Sequence, residues 1–288
     1  MNVAPRAALL SLLGLLAVPV AAQTTIGGGA CSSSTVKGTY SVSITGRQVT
    51  TAGSFTNVFQ SNGSANFDGL SKVTFTLSQD TASLAGMPLT WSGTYSIQAN
   101  CAGLVNISTG GSATFNLAVY NTGTDFLITG NDATYSYSGT GIAQPAACSA
   151  SMLAGVYAIS GTGFLLSSGS VNGATALTGL LQFDGQSNVT ANYTLAVNGS
   201  SSTGTLTGSY TMSPACLGSA TLTDSKNGSY VMSISVYSAA KTYSSNFYLD
   251  LAQSSKLIVS GTAHAVYGQP SSTGAAPMRG QAPAREGL

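Results

Sequence analysis

The stretch that decides the fold occurs twice. Ser64 to Leu77 reads SANFDGLSKVTFTL, and Leu180 to Leu195 reads LLQFDGQSNVTANYTL. After Phe-Asp-Gly, apolar residues alternate with polar ones in both copies, which is the pattern of a β-strand with one buried face. Asp-Gly fits a tight turn between two such strands well. Asp68 and Asp184 are therefore predicted to form corners, in preference to a calcium site or a catalytic carboxylate pair.

The two stretches belong to a duplication that covers nearly the whole chain. Cys148 matches Cys31 (148 − 31 = 117), and Cys216 matches Cys101 (216 − 101 = 115). Each half contains about eight alternating segments separated by Gly, Asn and Asp, and none has a helical period. We therefore predict an all-β chain of two tandem homologous antiparallel up-and-down β-barrels, because closure removes exposed strand edges. Two β-sandwiches are the alternative.

The ends of the chain differ in composition from the repeats. Arg6 precedes an apolar run at its start, followed by small residues, as in a signal peptide. The last segment is rich in Pro, Gly, Ser and Ala without alternation, which is typical of disorder. The predicted division is a signal peptide at 1–22, a flexible linker at 23–30, the first barrel at 31–145, the second barrel at 146–270 and a disordered tail at 271–288.

The composition bears on where the protein acts and on its partners. Hydrophobic residues make up 43% of the chain and charged residues only 6%. Without Arg6, eight Lys or Arg balance eight Asp or Glu, so no basic surface is expected for nucleic acid or anionic lipid. We expect a secreted, periplasmic or cell-surface protein with no membrane span in the mature chain. No cofactor or metal motif is found, and the oligomeric state is left open.

The four cysteines are expected to be oxidised in an exported chain. Three pairings are available to four cysteines. Only Cys31 with Cys101 and Cys148 with Cys216 keeps each repeat self-contained, so this pairing is predicted. Each disulfide would close a loop of about 70 residues, which the chain-entropy model values at roughly 4 kcal/mol.

The candidate ligand site lies on the predicted inward faces. Trp91 is the single Trp, and its counterpart in the second half is Leu206. An eight-stranded barrel is just wide enough to be filled by side chains or to hold one small ligand. His264 falls at one of the positions of its alternating strand that are predicted to face solvent. The tentative ligand-binding residues are Trp91, Phe75, Tyr95, Tyr193 and Tyr210; no catalytic residue is assigned.

The motifs of the first half form one ordered pattern. It consists of Cys31, Gly38-Thr39-Tyr40, Phe67-Asp68-Gly69, Val73-Thr74, Gly93-Thr94-Tyr95 and Cys101. The second half departs from it at Val156 and Ser209, which replace the two Thr. The pattern resembles a family of exported bacterial proteins. That resemblance implies small barrels of lipocalin-like or avidin-like shape, and it implies no activity.

Three functions remain open on the sequence. The leading hypothesis is a non-catalytic exported binding protein that holds a small apolar or amphipathic ligand in a barrel. The alternative is a structural or adhesive cell-surface protein with packed barrels. A weaker alternative is a hydrolase or isomerase at a barrel mouth, which would need clustered Asp, Tyr and Ser. An open pocket at Trp91 would favour the first, and a filled barrel the second.

Overall fold

The structure is a computed structural model. It describes residues 30–49, 55–168, 170–224, 228–237 and 246–266. The predicted signal peptide, nearly all of the linker and the tail lie outside these residues. Sixteen strands form two closed antiparallel barrels of eight strands each. The two-barrel prediction is therefore confirmed, and the β-sandwich alternative is wrong.

Each strand pairs with the next along the chain, and the last strand of each barrel pairs with its first. The first barrel contains β1 (Lys37–Val49), β2 (Phe55–Asp68), β3 (Lys72–Thr81), β4 (Met87–Ile97), β5 (Ala102–Thr109), β6 (Ala113–Tyr120), β7 (Asp125–Asn131) and β8 (Ser136–Ala143). The second contains β9 (Gly155–Ser167), β10 (Ser170–Phe183), β11 (Asn188–Val197), β12 (Ser200–Met212), β13 (Leu217–Asp224), β14 (Gly228–Tyr237), β15 (Asn246–Gln253) and β16 (Leu257–Ala265). A short 3₁₀ helix precedes each barrel, at Ser33–Thr35 and Ala150–Leu153.

The Phe-Asp-Gly corners join β2 to β3 and β10 to β11. Asp68 Oδ1 accepts hydrogen bonds from the backbone N–H groups of Leu70, Ser71 and Lys72 at 2.7, 2.8 and 3.0 Å. Gly69 has a φ of +81°, a conformation that glycine adopts without strain. Asp68 is thus a corner, as predicted, but it acts through its side chain and not as a central residue of a two-residue turn.

Asp184 forms the same corner in the second barrel. Its Oδ1 accepts from the N–H groups of Gln186, Ser187 and Asn188 at 2.8, 2.9 and 2.9 Å. These bonds favour the ionised carboxylate and lower the pKa of Asp184 to about 2, although burial works in the opposite direction. The repeat of Asp in a charge-poor chain therefore has a structural reason, because one carboxylate satisfies three loop donors.

The end of each barrel that holds the 3₁₀ helix, called here the disulfide end, is filled by a repeated layer of four rings. In the first barrel, Phe67 packs edge-on against Tyr95 at 4.9 Å and against Tyr40 at 5.6 Å between ring centroids. In the second, Phe183 packs edge-on against Tyr210 at 4.7 Å. The four rings of each layer are Tyr40, Phe67, Tyr95 and Phe126, matched by Tyr157, Phe183, Tyr210 and Phe247. The sequence pattern is repeated because it builds this layer.

The disulfides cross the same end. Cys31 is bonded to Cys101 and Cys148 to Cys216, with Cα–Cα distances of 5.1 and 4.9 Å. The predicted pairing is confirmed, and each repeat is closed on itself. Two disulfides in one chain are consistent with an oxidising environment.

Gly93 shows why glycine recurs within matching strands. A Cβ on Gly93 would lie 2.0 Å from the Asn106 carbonyl oxygen, and one on Gly208 would lie 1.9 Å from that of Thr221. The register of β4 against β5 also shifts between Ser92 and Gly93. At both glycines the neighbouring strand's backbone approaches so closely that no side chain would fit.

The two barrels pack against each other through their outer faces. Strands β1 and β2 of the first barrel contact β10, β14, β15 and β16 of the second, and Gln60 on β2 donates to the Thr162 carbonyl on β9 at 3.4 Å. An apolar cluster at this interface comprises Val58, Ala82, Phe164, Leu166, Ala252 and Ile258. Asn62 Nδ2 donates to the Ser233 carbonyl at 3.0 Å, and Ser235 Oγ donates to the Gly63 carbonyl at 2.5 Å. The interface is therefore a mixture of apolar contacts and buried hydrogen bonds.

No helix within the described ranges is both long and apolar enough to cross a membrane.

Candidate functional site: the barrel interiors and their far ends

Tyr95 and Tyr210, two of the tentative ligand-binding residues, face inward at the disulfide end. Tyr95 Oη donates to the carbonyls of Ser33 and Val36 at 2.9 and 3.1 Å. Tyr210 Oη donates to the Ala150 carbonyl at 3.0 Å. Both hydroxyls thus fasten a 3₁₀ helix across the end of a barrel. In this arrangement they anchor the closure of the barrel.

Trp91 and Phe75 lie together in the middle of the first barrel. They are cross-strand partners on β3 and β4, with ring centroids 6.4 Å apart. Trp91 is 5% exposed and stacks on Phe59 at 5.8 Å with an interplanar angle of 8°. Phe115 and Tyr137 complete the shell around it at 5.8 and 6.0 Å. The indole is surrounded by rings on several sides.

The far end of the first barrel, opposite the disulfide, carries an Asp–Tyr pair. Tyr137 Oη donates to Asp132 Oδ2 at 2.5 Å, and Asp132 Oδ1 accepts from the backbone N–H groups of Thr134 and Tyr135, each at 2.6 Å. Burial works to raise the pKa of Asp132, but these donors outweigh it, so that pKa is lowered. Burial, together with the negative charge of Asp132, raises the pKa of Tyr137. The pair is a carboxylate and a protonated phenol.

Tyr193 occupies the far end of the second barrel. It lies opposite Gly204 in the β11–β12 register, and a Cβ on Gly204 would come within 2.6 Å of its ring. Its hydroxyl donates to Asp224, which is 3% exposed. Burial, then the charges of Tyr193 and Asp224, raises the pKa of the neighbouring Tyr230. Both barrels therefore place an Asp–Tyr pair near the far end.

The second barrel fills its centre differently from the first. Ala191 and Leu206 are cross-strand partners where the first barrel has Phe75 and Trp91. All four of these side chains are buried, with exposures of 5% or less. The small Ala191 is followed on the inner face of β11 by the large Tyr193. On β3 of the first barrel the large Phe75 is followed by the smaller Leu77.

The five tentative site residues therefore do not form one site. Trp91 and Phe75 touch, and Phe67 links Phe75 to Tyr95 at 6.4 and 4.9 Å. Tyr193 and Tyr210 belong to the other barrel. All five are buried among other side chains. Their role in ligand binding stays a prediction.

Three surface grooves stand out on the described residues, and Trp91 lines none of them. One groove of about 510 Å³ runs over β10 to β12 on the outer wall of the second barrel. Tyr193 and Asp224 reach it from the inner side; its remaining lining is Thr178, Gly179, Leu180, Asn192, Thr194, Thr203, Gly204 and Thr205. The lining thus presents hydroxyl and amide groups with one exposed leucine.

Metal and histidine chemistry find little support in the described residues. No group of three or more His, Cys, Asp or Glu side chains lies together in the part of the chain that the structure describes. His264 is exposed on β16, as its parity predicts.

Sequence reasoning missed the acidic residues that the fold brings to other polar groups. Asp132 meets Tyr137 five residues further on, across the β7–β8 turn, and Asp224 at the end of β13 meets Tyr193 on β11. Asp80 and Asp250 lie on the outer faces of their barrels and are both buried at the interface between the barrels. The one available signal was that the outer-face neighbours of Asp250 in FYLDLAQ at Phe247 to Gln253 are Tyr248 and Ala252, and neither is strongly polar.

No known protein-family model matches the chain, and no curated protein sequence matches it.

Proposed function

We propose that the chain is an exported, non-catalytic structural or adhesive protein of the cell surface, whose two packed barrels act as one rigid body. The observation that carries the proposal is the shell of rings around Trp91. A ligand at that position would have to displace Phe59, Phe75, Phe115 or Tyr137 from the closely packed core. None of the three grooves found on the described residues is lined by Trp91, so they offer the ligand-carrier hypothesis no pocket at this position.

The chemistry of the far ends supports a non-catalytic role. Tyr137 of the first Asp–Tyr pair and Tyr230, the neighbour of the second pair, have raised pKa values, so each holds its proton more tightly than a free tyrosine. A tyrosine that acts as a base or nucleophile needs the opposite shift. The Asp–Tyr pairs therefore suit hydrogen-bonded closure of a barrel end better than a hydrolase or isomerase site.

The adhesive form of the proposal rests on the outer wall of the second barrel. Thr190 and Thr207 are cross-strand partners there, as are Asn192 and Thr205. Asn192 and Thr205 line the groove over β10 to β12, into which Asp224 also reaches, and Thr190 and Thr207 lie next to them on the same strands. Dense uncharged hydroxyl and amide groups are suited to hydrogen bonding with an uncharged, hydroxyl-rich polymer such as a polysaccharide.

The packed interior can be tested with the intrinsic fluorescence of Trp91, the single Trp of the chain. We expect emission typical of a buried indole that a panel of fatty acids, sterols and aromatic probes leaves unchanged. Native mass spectrometry of protein from its source should give the mass of the processed chain alone. The double variant Trp91→Leu with Leu206→Trp moves the reporter to the second barrel. A saturable emission change in either protein, or a retained ligand, would contradict the proposal.

The adhesive form has its own experiment. Thr194→Glu places a charge in the groove, and Thr129→Glu places one on the exposed face of β7 in the first barrel as a matched control. We expect retention on insoluble polysaccharides by the wild type and the control, and weaker retention of Thr194→Glu. Equal retention of all three proteins would remove the groove from the proposal.

A further inference from the structure

Two carboxyl groups are buried where the barrels touch. Asp80 lies on the outer face of β3 beside Gln60 of β2. Asp250 lies on the outer face of β15, between Ser233 of β14 and Ser260 of β16. Asp80 is 2% exposed and Asp250 is 0% exposed. The fold has therefore buried two acids, one from each barrel, at a single interface.

The surroundings of the two acids contain few groups that would stabilise negative charge. Asp80 Oδ1 accepts the Gly86 N–H at 2.6 Å. Neither oxygen of Asp250 accepts a hydrogen bond of normal geometry from the described residues. Gln60 Oε1 and Ser233 Oγ are also buried without a partner. An ionised carboxylate in such a place is costly unless it is paired.

The charged and titratable groups on the packed elements do not supply that pairing. Arg47 on β1 lies over the Phe164 ring, with its Cζ 5.4 Å from the ring centroid. Tyr237 on β14 and Tyr248 on β15 are neutral phenols whose pKa values burial raises. The outer faces of β2, β9 and β16 contribute amides, hydroxyls and apolar groups near the pair. Among the described residues, no cation contributes to the pKa shift of either Asp.

We propose that Asp80 and Asp250 share a proton and that this shared proton joins the two barrels. A carboxylic acid can donate to a carboxylate, so one bound proton converts a repulsive pair into a hydrogen-bonded one. No bond other than that hydrogen bond forms, and the proton comes from solvent when the outer faces come together. Docking is thus coupled to proton uptake, and the contact strengthens as the surroundings become acidic.

The titration behaviour agrees with this arrangement. Burial raises the pKa of Asp80 to about 6. Burial, then the charge of Asp80, raises that of Asp250 well above its ordinary value, while Ser260 and the Asn62 backbone offset part of the rise. Because both acids hold protons more tightly in the folded protein, the stability they contribute is complete below about pH 4. It is lost as the pH rises through 6 and beyond.

The experiment compares thermal unfolding of the full chain between pH 4 and pH 9 in the wild type, Asp250→Asn and Asp80→Asn. Asn imitates the protonated acid. A rise of about two pKa units, as for Asp80, corresponds to about a 100-fold change in the folding equilibrium. We therefore expect the wild type to lose stability from pH 5 to pH 8, and either variant to flatten that loss and to unfold at a higher temperature at pH 8.

Asp184→Asn is the matched control, because the carboxylate of Asp184 stays ionised between pH 4 and pH 9. The unfolding temperature of this variant should change with pH as that of the wild type does. If Asp250→Asn does not fold, Asp80→Asn and a carbon-13 NMR titration of the wild-type aspartates still decide the matter. Equal slopes in wild type and variants would overturn the proposal. So would millimolar Ca²⁺ raising the unfolding temperature of the wild type at pH 8 but not that of the variants, because the carboxylates would then hold a cation.

Discussion

Replacing Trp91 by Ala tests whether the first barrel is filled. A Trp buries about 200 Å² of mostly apolar surface, which at about 25 cal/mol/Å² is worth about 5 kcal/mol. Measured Trp→Ala and Phe→Ala changes in cores cost about 3–5 kcal/mol. Since Trp91 is 5% exposed and ringed by aromatic groups, we expect the full effect. In a chain of this size it lowers the unfolding temperature by about 10 °C.

The assay is denaturant and thermal unfolding, followed by addition of indole. Because a dry apolar cavity binds a small apolar molecule, indole should restore part of the stability of Trp91→Ala and leave the wild type unchanged. Leu206→Ala, at the matching position of the second barrel, should also cost about 2–5 kcal/mol. Leu70→Ala, at a residue 77% exposed, should cost less than about 0.5 kcal/mol. A loss below about 1 kcal/mol for Trp91→Ala, or wild-type protein that binds indole, would refute the filled interior.

Three other outcomes follow from the disulfide end. Replacing both Cys31 and Cys101 by Ala opens a loop of 70 residues and should cost roughly 4 kcal/mol in equilibrium unfolding; an unchanged midpoint would show that the disulfide does not restrict the unfolded chain. Because the pKa of Asp184 is lowered to about 2, the stability that its carboxylate contributes is complete above about pH 4 and is lost as the pH falls through 2. Asp184→Asn should therefore reduce the loss of stability at acid pH. An unchanged loss in this variant would show that other groups cause it. Burial, then the charges of Tyr95 and Asp125, raises the pKa of Tyr40 to about 12, so its contribution is lost as the pH rises from 10 through 12. Tyr40→Phe removes the hydrogen bond to the Gly123 carbonyl and should lower the free energy of unfolding by about 1 kcal/mol at pH 7. The loss of stability at alkaline pH should then begin at a higher pH than in the wild type.

Local pattern was sufficient to predict the barrels. Alternation placed Trp91 and Phe75 on the inner face, and the duplication selected the cysteine pairing, because both features depend on spacing along the chain. The turn at Asp68 was predicted by residue type, but not its mechanism. Three N–H groups converge on one carboxylate oxygen only once the loop is folded.

The contacts between the repeats were beyond prediction from one sequence. Asp80 and Asp250 are separated by 170 positions, and each resembles a solvated polar residue of a half-exposed strand. Whether such an outer face is wet depends on the packing of the second barrel, which strand periodicity does not encode. The filling of the interior was undetermined for a similar reason, since a barrel of eight strands admits either side chains or a small ligand.

The contact between the barrels joins largely different sets of strands, β1 and β2 on one side and β10, β14, β15 and β16 on the other. A fused twofold dimer would instead use the same patch on both halves. Head-to-tail contacts of this kind generate rings or open filaments when identical units repeat them. Here the unused counterparts of the two joined faces carry Ala196 where the first barrel has Asp80, and Thr129 where the second has Asp250. The counterpart faces therefore lack the two acids, so a further unit docked in the same way would not find the Asp80–Asp250 contact repeated there.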